Sequence, residues 1–292
     1  MKIGSRSLKT LLADKYALKI FTILRKRASR DSRFQGIVVP VDDLIGHNLM
    51  ATGCFEATQF DGVETLLKQT HLARLAKLGR FVDVGANIGL YSLAFSDRFA
   101  STLAVEANPQ TFLVLRANLA LRSIGSVTPI CVGASNEPGE AQLHVPINGN
   151  LGWATLDEAH HTVPTKALPI SIRRLDDIIE ENEGPATVLL KIDVEGHEQS
   201  VLEGAEKTLR NHGPIVLFEV LGEEAGRASA RLLQDCGYAF FYTFRRDWPE
   251  GKKKLHRVWR GLRSGLPVTI EAIQPDHLHK AALVCASKSA LA

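Results

Sequence analysis

From residue 80 onward, short apolar runs alternate with longer segments whose apolar residues recur at helical spacing. The runs FVDV, TLAV, TVLLKID and PIVLFEV are almost continuously apolar, as in strands that are buried on both faces of a sheet. The segments between them, such as PQTFLVLRANLALR and EQSVLEGAEKTLRNHG, have the length and periodicity of helices. This alternation predicts an α/β fold with a mostly parallel sheet and helices on both faces.

The alternation is interrupted twice. At about residues 137–170, EAQLHV, WATL and ISIRRL are interpreted as short strands or an insertion, because glycine and proline punctuate them. The helix–strand unit then continues through YAFFYTF, and KAALVCAS is predicted to be the last strand. A second insertion lies at about residues 245–270. We therefore expect a principal domain at 51–292, preceded by a basic extension at 1–50.

Composition and charge narrow the class of protein. With 292 residues, 45% hydrophobic and 23% charged, the chain is typical of globular proteins, and its net charge of +3 does not by itself indicate a nucleic-acid partner. The four cysteines are widely separated and show no zinc-ligand spacing. No apolar run approaches the roughly 18 residues of a membrane span. We expect a cytoplasmic protein.

Two basic segments leave alternatives open. Residues 1–33 carry ten Lys or Arg residues against two Asp, with leucines and isoleucines among them. Such a segment either contacts an anionic membrane surface peripherally or, as we favour, forms a solvated or packed extension. The segment KKKLHRVWRGLR, at 252–263, is predicted to be a basic amphipathic helix above the carboxyl edge of the sheet. It either recognises an anionic acceptor or is simply solvated.

The stretch FVDVGANIGLYS predicts a tight turn from a strand into a helix. Gly85 and Gly89 give the spacing G-x-x-x-G, so the dinucleotide fingerprint G-x-G-x-x-G is missing, which disfavours an NAD-dependent oxidoreductase. Asp83 would repel a pyrophosphate but suits a cationic ligand, and Glu106, ending the next strand, is placed to accept hydrogen bonds from ribose hydroxyls. S-adenosylmethionine meets these requirements. Asn87 either binds this ligand or shapes its own turn.

The chain resembles the FkbM-type family of S-adenosylmethionine-dependent methyltransferases. The resemblance covers about residues 53–221 and is most specific in KIDVEGHE followed by VLEGAE, after the DVGANIG turn. It implies a class I methyltransferase fold, with a seven-stranded sheet whose last strand is antiparallel, and O-methylation of natural products or glycans. It also implies that Glu56, in GCFE, reaches the methionine end of the cofactor, although helix capping would explain Glu56 as well. In this fold, adenine lies near Ser135.

Several polar residues should meet at the carboxyl edge of the sheet. Asp193 ends a buried strand and should neighbour Asp83, while Glu195 and His197 stand on the following turn. Either His197 or Asp193 acts as the general base for methyl transfer, or Asp193, Glu195 and Glu219 bind a divalent ion. No metal site is predicted, and the ion remains the alternative. For Glu198 we favour a structural role at the start of a helix.

The expected function is O-methylation of a hydroxyl on a sugar, a glycan or a related natural product. Another small hydroxylated metabolite, such as a polyketide, is the alternative acceptor. A basic nucleic-acid-binding module is an alternative of a different class, but the sequence offers no aromatic platform for it. Trp153 either stacks on a sugar ring or packs internally.

Overall fold

A computed structural model describes residue 19 and residues 32–40, 43–147, 151–157, 163–246 and 267–291. The helices are α1 (Leu44–Thr52), α2 (Ala57–Leu67), α3 (Thr70–Leu78), α4 (Leu90–Phe95), α5 (Pro109–Leu121), α6 (Leu175–Glu181), α7 (Glu198–Gly204), α8 (Glu206–Asn211) and α9 (Glu223–Asp235). The strands are β1 (Arg80–Val84), β2 (Ser101–Glu106), β3 (Val127–Cys131), β4 (Gly133–Ser135), β5 (Gly139–Pro146), β6 (Thr165–Arg174), β7 (Thr187–Ile192), β8 (Ile215–Phe218), β9 (Phe240–Arg246), β10 (Val268–Ala272) and β11 (Val284–Ser287).

The central sheet has the strand order β3-β2-β1-β7-β8-β11-β9-β10. Strands β1, β2, β3, β7 and β8 pair in parallel, whereas the last strand, β11, is antiparallel to both of its neighbours. The predicted α/β class and the antiparallel last strand are confirmed. The predicted number of seven strands is wrong, because β10 pairs antiparallel with β9 and adds an eighth strand. This extra strand covers an edge of β9 that would otherwise expose unpaired backbone groups.

A small second sheet occupies most of the region of the first predicted insertion. Strands β5 and β6 form an antiparallel pair, and β4 lies parallel to β6 on its other side. The WATL segment is not a strand, so of its two interpretations the short strand is wrong, and its place in an insertion stays a prediction. It contains the end of a one-turn 3-10 helix, Leu151–Trp153, and pairs with β5 only through the bridge between Thr155 and His144.

The core lies on both faces of the central sheet because successive strand residues point to opposite sides. In β1, Val82 and Val84 belong to one buried cluster, whereas Phe81 belongs to the other. Helix α5 begins as predicted: Pro109 is its first residue, and the Asn108 side chain accepts a hydrogen bond from the Gln110 amide.

The single helix predicted over EQSVLEGAEKTLRNHG is divided into α7 and α8 at Ala205. The buried Asp176 carboxylate accepts hydrogen bonds from the amides of Lys207 and Thr208. These amides belong to the first turn of α8, whose N–H groups lack partners within the helix. Asp176 thus stabilises a second helix start that apolar spacing does not reveal.

Several predictions concern residues outside the described part of the chain. The basic segment at 1–33 is described only at Lys19 and from Ser32, and the predicted helix at 252–263 is outside altogether. Within the described residues, none of the helices combines the length and the apolar character needed to cross a membrane. The boundaries at 50 and 51, the membrane contact and the anion-recognising helix stay predictions.

Candidate active site

A cavity of about 310 Å³ opens where β1, β2, β7 and β8 end. Gly85 follows β1, Glu106 ends β2, Asp193 follows β7 and Glu219 follows β8, and all four line the cavity. Parallel strands bring their carboxyl ends to one edge of a sheet, which is where α/β proteins bind ligands. The remaining predicted site residues in the lining are Glu56, Asn87, Glu195 and His197.

The glycine turn is shaped mainly by packing within the protein. Gly85 has a φ of +72°, and a Cβ there would lie 1.7 Å from the Asp193 carbonyl oxygen. At Gly89, with a φ of +94°, a Cβ would lie 2.5 Å from the Leu115 side chain. The room left by each glycine is therefore filled by the residue that follows β7 and by α5, and only Gly85 also lines the cavity.

Asp83 lies beneath the cavity instead of in its wall. Its side chain is fully buried, and Oδ2 accepts hydrogen bonds from the Ser92 amide at 3.0 Å and the Ser92 hydroxyl at 2.6 Å. Oδ1 has no hydrogen-bond partner and lies 3.6 Å from Nζ of Lys191. Asp83 thus supports the cavity through Lys191 and Ser92 and does not contact a ligand there.

Glu106 reaches the cavity from the end of β2 and is held firmly by the protein. Its Oε2 accepts a hydrogen bond from the Asn87 amide at 2.6 Å, while Oε1 accepts from the Asn108 amide at 2.8 Å and the Thr111 hydroxyl at 2.9 Å. A carboxylate oxygen has two lone pairs, so Oε2 keeps one free to accept a further donor. Asn87 therefore shapes the site through its backbone.

A buried lysine connects the acids of this edge. Nζ of Lys191 lies 3.0 Å from Oδ2 of Asp193 and 4.8 Å from the centroid of the Tyr91 ring, in addition to its contact with Asp83. Tyr91 in turn donates its hydroxyl to Oε2 of Glu56 at 3.3 Å. The pKa of Lys191 is raised despite burial, because Asp193 and Asp83 stabilise the ammonium form.

Three further carboxyl groups form an acidic wall: Glu56, Glu195 and Glu219. Burial, reinforced by the negative charge of Asp193, raises the pKa of Glu56 and of Glu195 to about 7. The same causes, with Glu56 and Glu195 adding to the repulsion, raise the pKa of Glu219 to about 9. At neutral pH Glu219 is therefore protonated, whereas Glu56 and Glu195 have pKa values in the range that general acid–base chemistry uses.

Replacement of Glu219 by glutamine should make folding less sensitive to pH. The pKa of Glu219 rises from 4.5 to about 9 on folding, so the free energy of unfolding of the wild type falls as pH increases through that window. Glutamine does not ionise in either state, so the variant should gain stability relative to the wild type as pH rises. Urea denaturation across this range measures the difference. The exposed Glu224, changed to glutamine, is the control, and an equal response of both variants would contradict the assignment.

Strained backbone is concentrated at this cavity. Among the described residues, four non-glycine residues have a positive φ, and three of them line the cavity: Glu56 at 43°, Asn87 at 51° and Glu195 at 51°. Such conformations are retained where the surrounding structure enforces them, often at functional sites. Glu56 begins α2 without a side-chain capping bond, so the capping explanation for this residue is wrong.

His197 and Ser135 form a pair at another part of the cavity. Nε2 of His197 lies 2.9 Å from the hydroxyl of Ser135, which is buried and does not itself line the cavity. Burial lowers the pKa of His197, so the ring is neutral near pH 7. Ser135 orients the imidazole, and the neighbouring Ala134 and Val132 make this part of the lining apolar.

Glu198 has the structural role predicted for it. It is the first residue of α7, and its carboxylate accepts hydrogen bonds from the amides of Val194 and Gly196. It thereby fixes the turn that presents Glu195. Across residues 43–147, 163–246 and the shorter described stretches, no group of three His, Cys, Asp or Glu side chains is arranged to hold a metal ion.

Sequence reasoning missed Lys191 and Tyr91. The position of Lys191 could have been predicted. Residues two apart on a strand point to the same side of the sheet, so Lys191 and Asp193 should lie next to each other. Tyr91 gave no comparable signal, since its position depends on how α4 packs against β7.

The fold and the site together define a class of protein. A sheet of order β3-β2-β1-β7-β8-β11-β9, with the last strand inserted antiparallel and a cavity at the carboxyl ends of β1 and β2, is the arrangement of class I methyltransferases. The methyltransferase FkbM domain model matches residues 83–240, which is more than half of the chain. The chain belongs to the FkbM methyltransferase family, and the predicted resemblance is confirmed.

Individual relatives are similar over part of their length. Hexuronic acid methyltransferase AglP of Haloferax volcanii is 34% identical over 136 residues, which cover 46% of this chain and 53% of AglP. Methyltransferase 1 of Beauveria bassiana is 27% identical over 61% of this chain and 78% of its own. A crystal structure of methyltransferase FkbM from Methylobacillus flagellatus aligns with 92% of this chain and 58% of its own, at 18% identity and a TM-score of 0.41. The chain thus spans about half the length of AglP.

Proposed function

We propose that this protein is an S-adenosylmethionine-dependent O-methyltransferase that acts on a hydroxyl of a sugar, a glycan or a related natural product. The observation that carries the proposal is the distribution of charge around one cavity. Glu106 lies at the end of β2, Asp193, Glu195 and Glu219 follow β7 and β8, and Glu56 stands before α2. Family membership supports the methyl-transfer chemistry, and the name of AglP supports a sugar-like acceptor.

The lining suits the proposed cofactor. S-adenosylmethionine, when bound, supplies an activated methyl group on a cationic sulfonium. The free lone pair of Oε2 of Glu106 would accept a hydrogen bond from a ribose hydroxyl, and the apolar Val132 and Ala134 would border the adenine. Glu56 and Asp193 would face the positively charged methionine end. Asp83, Gly89 and Ser135 would support this site from behind its wall.

We assign proton acceptance to Glu195. Among the predicted candidates, Asp193 is engaged by the ammonium of Lys191 at 3.0 Å, and His197 is engaged by Ser135. Glu195 lines the cavity, and its pKa of about 7 matches the operating range of a general base. When the hydroxyl oxygen of the acceptor bonds to the methyl carbon, its proton would pass to the Glu195 carboxylate and then to solvent.

A labelled-methyl transfer assay tests the proposed function. The protein is incubated with S-adenosylmethionine labelled in the methyl group and a panel of glycans, nucleotide sugars and free pyranosides. We expect label that survives mild alkali, because a methyl ether on a hydroxyl is stable where a methyl ester of a carboxylate is not. Label that is released by alkali, or carried on nitrogen, would contradict O-methylation of a hydroxyl.

A further inference from the structure

The segment Gly152–Asp157 brings the small sheet to the cavity. Gly152, Trp153, Ala154 and Leu156 all line the cavity, although none of them belongs to the central sheet. The segment is fixed to β5 by two backbone hydrogen bonds between Thr155 and His144, at 2.8 and 3.1 Å. One short stretch outside the central sheet therefore forms a side of the proposed active site.

This segment rests on a hydrophobic cluster of its own. Leu143, Val145 and Ile170 are buried together, and Ala154 and Leu156 pack against them. Burying apolar side chains on both sides of Thr155 anchors the segment to the small sheet. The segment Gly152–Asp157 is thus held in place by backbone hydrogen bonds and by apolar packing.

Trp153 is presented at the cavity with much of its surface uncovered. Trp153 is 48% exposed, so internal packing leaves about half of its surface uncovered. An indole face offers a large, rigid surface on which the apolar face of a sugar ring stacks. Because Trp153 lines the cavity, a sugar bound there could contact the exposed face of the indole.

The charges around Trp153 select against an anionic ring. Asp193, Glu56 and Glu195 line the same cavity, and the ammonium of Lys191 is already engaged by Asp83 and Asp193. Glu219, with a pKa of about 9, is protonated at neutral pH and adds a hydrogen-bonding group without a charge. Carboxylates accept hydrogen bonds from sugar hydroxyls. They would repel a carboxylate or phosphate carried on the ring that enters the cavity.

Thr155 connects the same segment to Glu195. Its hydroxyl donates a hydrogen bond of 2.5 Å to the Glu195 carbonyl oxygen and accepts one of 3.1 Å from the Asp157 amide. Thr155 is 2% exposed, so water does not compete for these bonds. Because Glu195 has a φ of 51°, its backbone needs such external support.

We propose that Gly152–Asp157 is the acceptor-binding element: Trp153 stacks on an uncharged, hydroxyl-bearing pyranose ring, and Thr155 is a positioning residue that holds Glu195 beneath it. The inference rests on the proposed function and specifies its substrate class. It departs from the expectation of an anionic acceptor, which depended on residues 252–263, outside the described part of the chain.

Binding of matched sugars tests the role of Trp153. Methyl glycosides of the common neutral hexoses, and the corresponding uronides, are titrated by ligand-observed NMR onto protein saturated with S-adenosylhomocysteine. We expect a neutral pyranoside to bind, its uronide to bind at least about tenfold more weakly, and Trp153→Ala to weaken the neutral ligand about tenfold. Trp153→Phe should retain most of the affinity. Phe240→Ala, which removes an exposed aromatic outside the cavity lining, should bind as the wild type does.

Three results would overturn this role: no binding of any neutral pyranoside, equal binding by Trp153→Ala, or a preference for the uronide. The affinity for S-adenosylhomocysteine, measured on the same samples, separates this failure from failure of the proposed function. If the wild type binds S-adenosylhomocysteine normally but does not prefer the neutral pyranoside, only the inference about the acceptor is wrong. If the wild type does not bind S-adenosylhomocysteine, the inference and the proposed function are both wrong.

Titration of the Glu195 carboxyl group tests the role of Thr155. The group is followed by carbon NMR and assigned by the loss of its signal in Glu195→Gln. Thr155→Val removes the hydroxyl at similar volume and should shift the midpoint of the Glu195 titration away from that of the wild type, whereas Thr155→Ser should restore it. Thermal stability is recorded in parallel. If Thr155→Val lowers stability but leaves the titration unchanged, Thr155 is structural only and the positioning role is wrong.

Discussion

Replacing Glu195 by glutamine is expected to lower kcat by about two to four orders of magnitude, the usual contribution of a general base. Glutamine keeps the size and hydrogen-bonding reach of the side chain but accepts no proton. Because Glu195 lies on the turn after β7 and not at the Glu106 end of the cavity, the affinity for S-adenosylhomocysteine should change little. Steady-state methyl transfer and calorimetry on the same protein measure the two effects.

The pH dependence of the wild type gives an independent check on this residue. A base must be ionised to act, so kcat/KM should rise with pH through about 7, the pKa of Glu195, and this limb should disappear in Glu195→Gln. Asp97→Asn, which alters a side chain that is 79% exposed, is the control. A variant of Asp193 or His197 that abolishes turnover, beside an active Glu195→Gln, would contradict the assignment.

Replacing Lys191 by methionine is expected to lower the free energy of unfolding by about 3–5 kcal/mol, the typical cost of breaking a buried ion pair. The ammonium is buried between Asp83 and Asp193, at 3.6 and 3.0 Å. Methionine keeps much of the volume but leaves the fully buried Asp83 without its cation. Urea denaturation of the variant and the wild type measures the loss.

The loss of unfolding free energy in Lys191→Met should become larger as pH increases. Burial already raises the pKa of Asp83, and removal of Lys191 should raise it further. A raised carboxyl pKa favours the folded state at low pH and disfavours it as pH increases, so the deficit of the variant should be smaller near about pH 5 than near about pH 8. Lys207→Met, in which a lysine side chain that is 61% exposed is replaced, should cost little at either pH. A deficit that is independent of pH would show that lost packing, and not charge, causes it.

The pattern of apolar residues was sufficient to predict most of the central sheet. Continuous apolar runs such as TVLLKID are explained by burial on both faces, and the placement of Asp193, Glu106 and Glu219 at one edge follows from parallel pairing. The pattern did not predict β10, because VTIEA is partly exposed and its pairing depends on the edge of β9. The break between α7 and α8 depends on Asp176, about 30 residues earlier in the chain.

The site was predicted less completely than the fold. Asp83 and the turn at Gly85 were recognised because an acid beside a tight glycine turn suggests a cationic ligand, and the acids of KIDVEG were recognised as candidates for proton transfer or metal binding. The contacts of Lys191 with Tyr91 and of Thr155 with Glu195 join residues that are distant in sequence, so no local pattern indicates them. The space at Gly89 is occupied by Leu115, which only the packing of α5 reveals.

Calorimetric titration with S-adenosylhomocysteine tests the central claim most directly. The wild type should bind this compound and should not bind NAD⁺. Gly85→Ala should lose the binding, since its Cβ would displace the turn from Asp193, whereas Gly125→Ala, where a Cβ meets nothing within 4 Å, should keep it. Binding of NAD⁺ with no binding of S-adenosylhomocysteine would contradict the account.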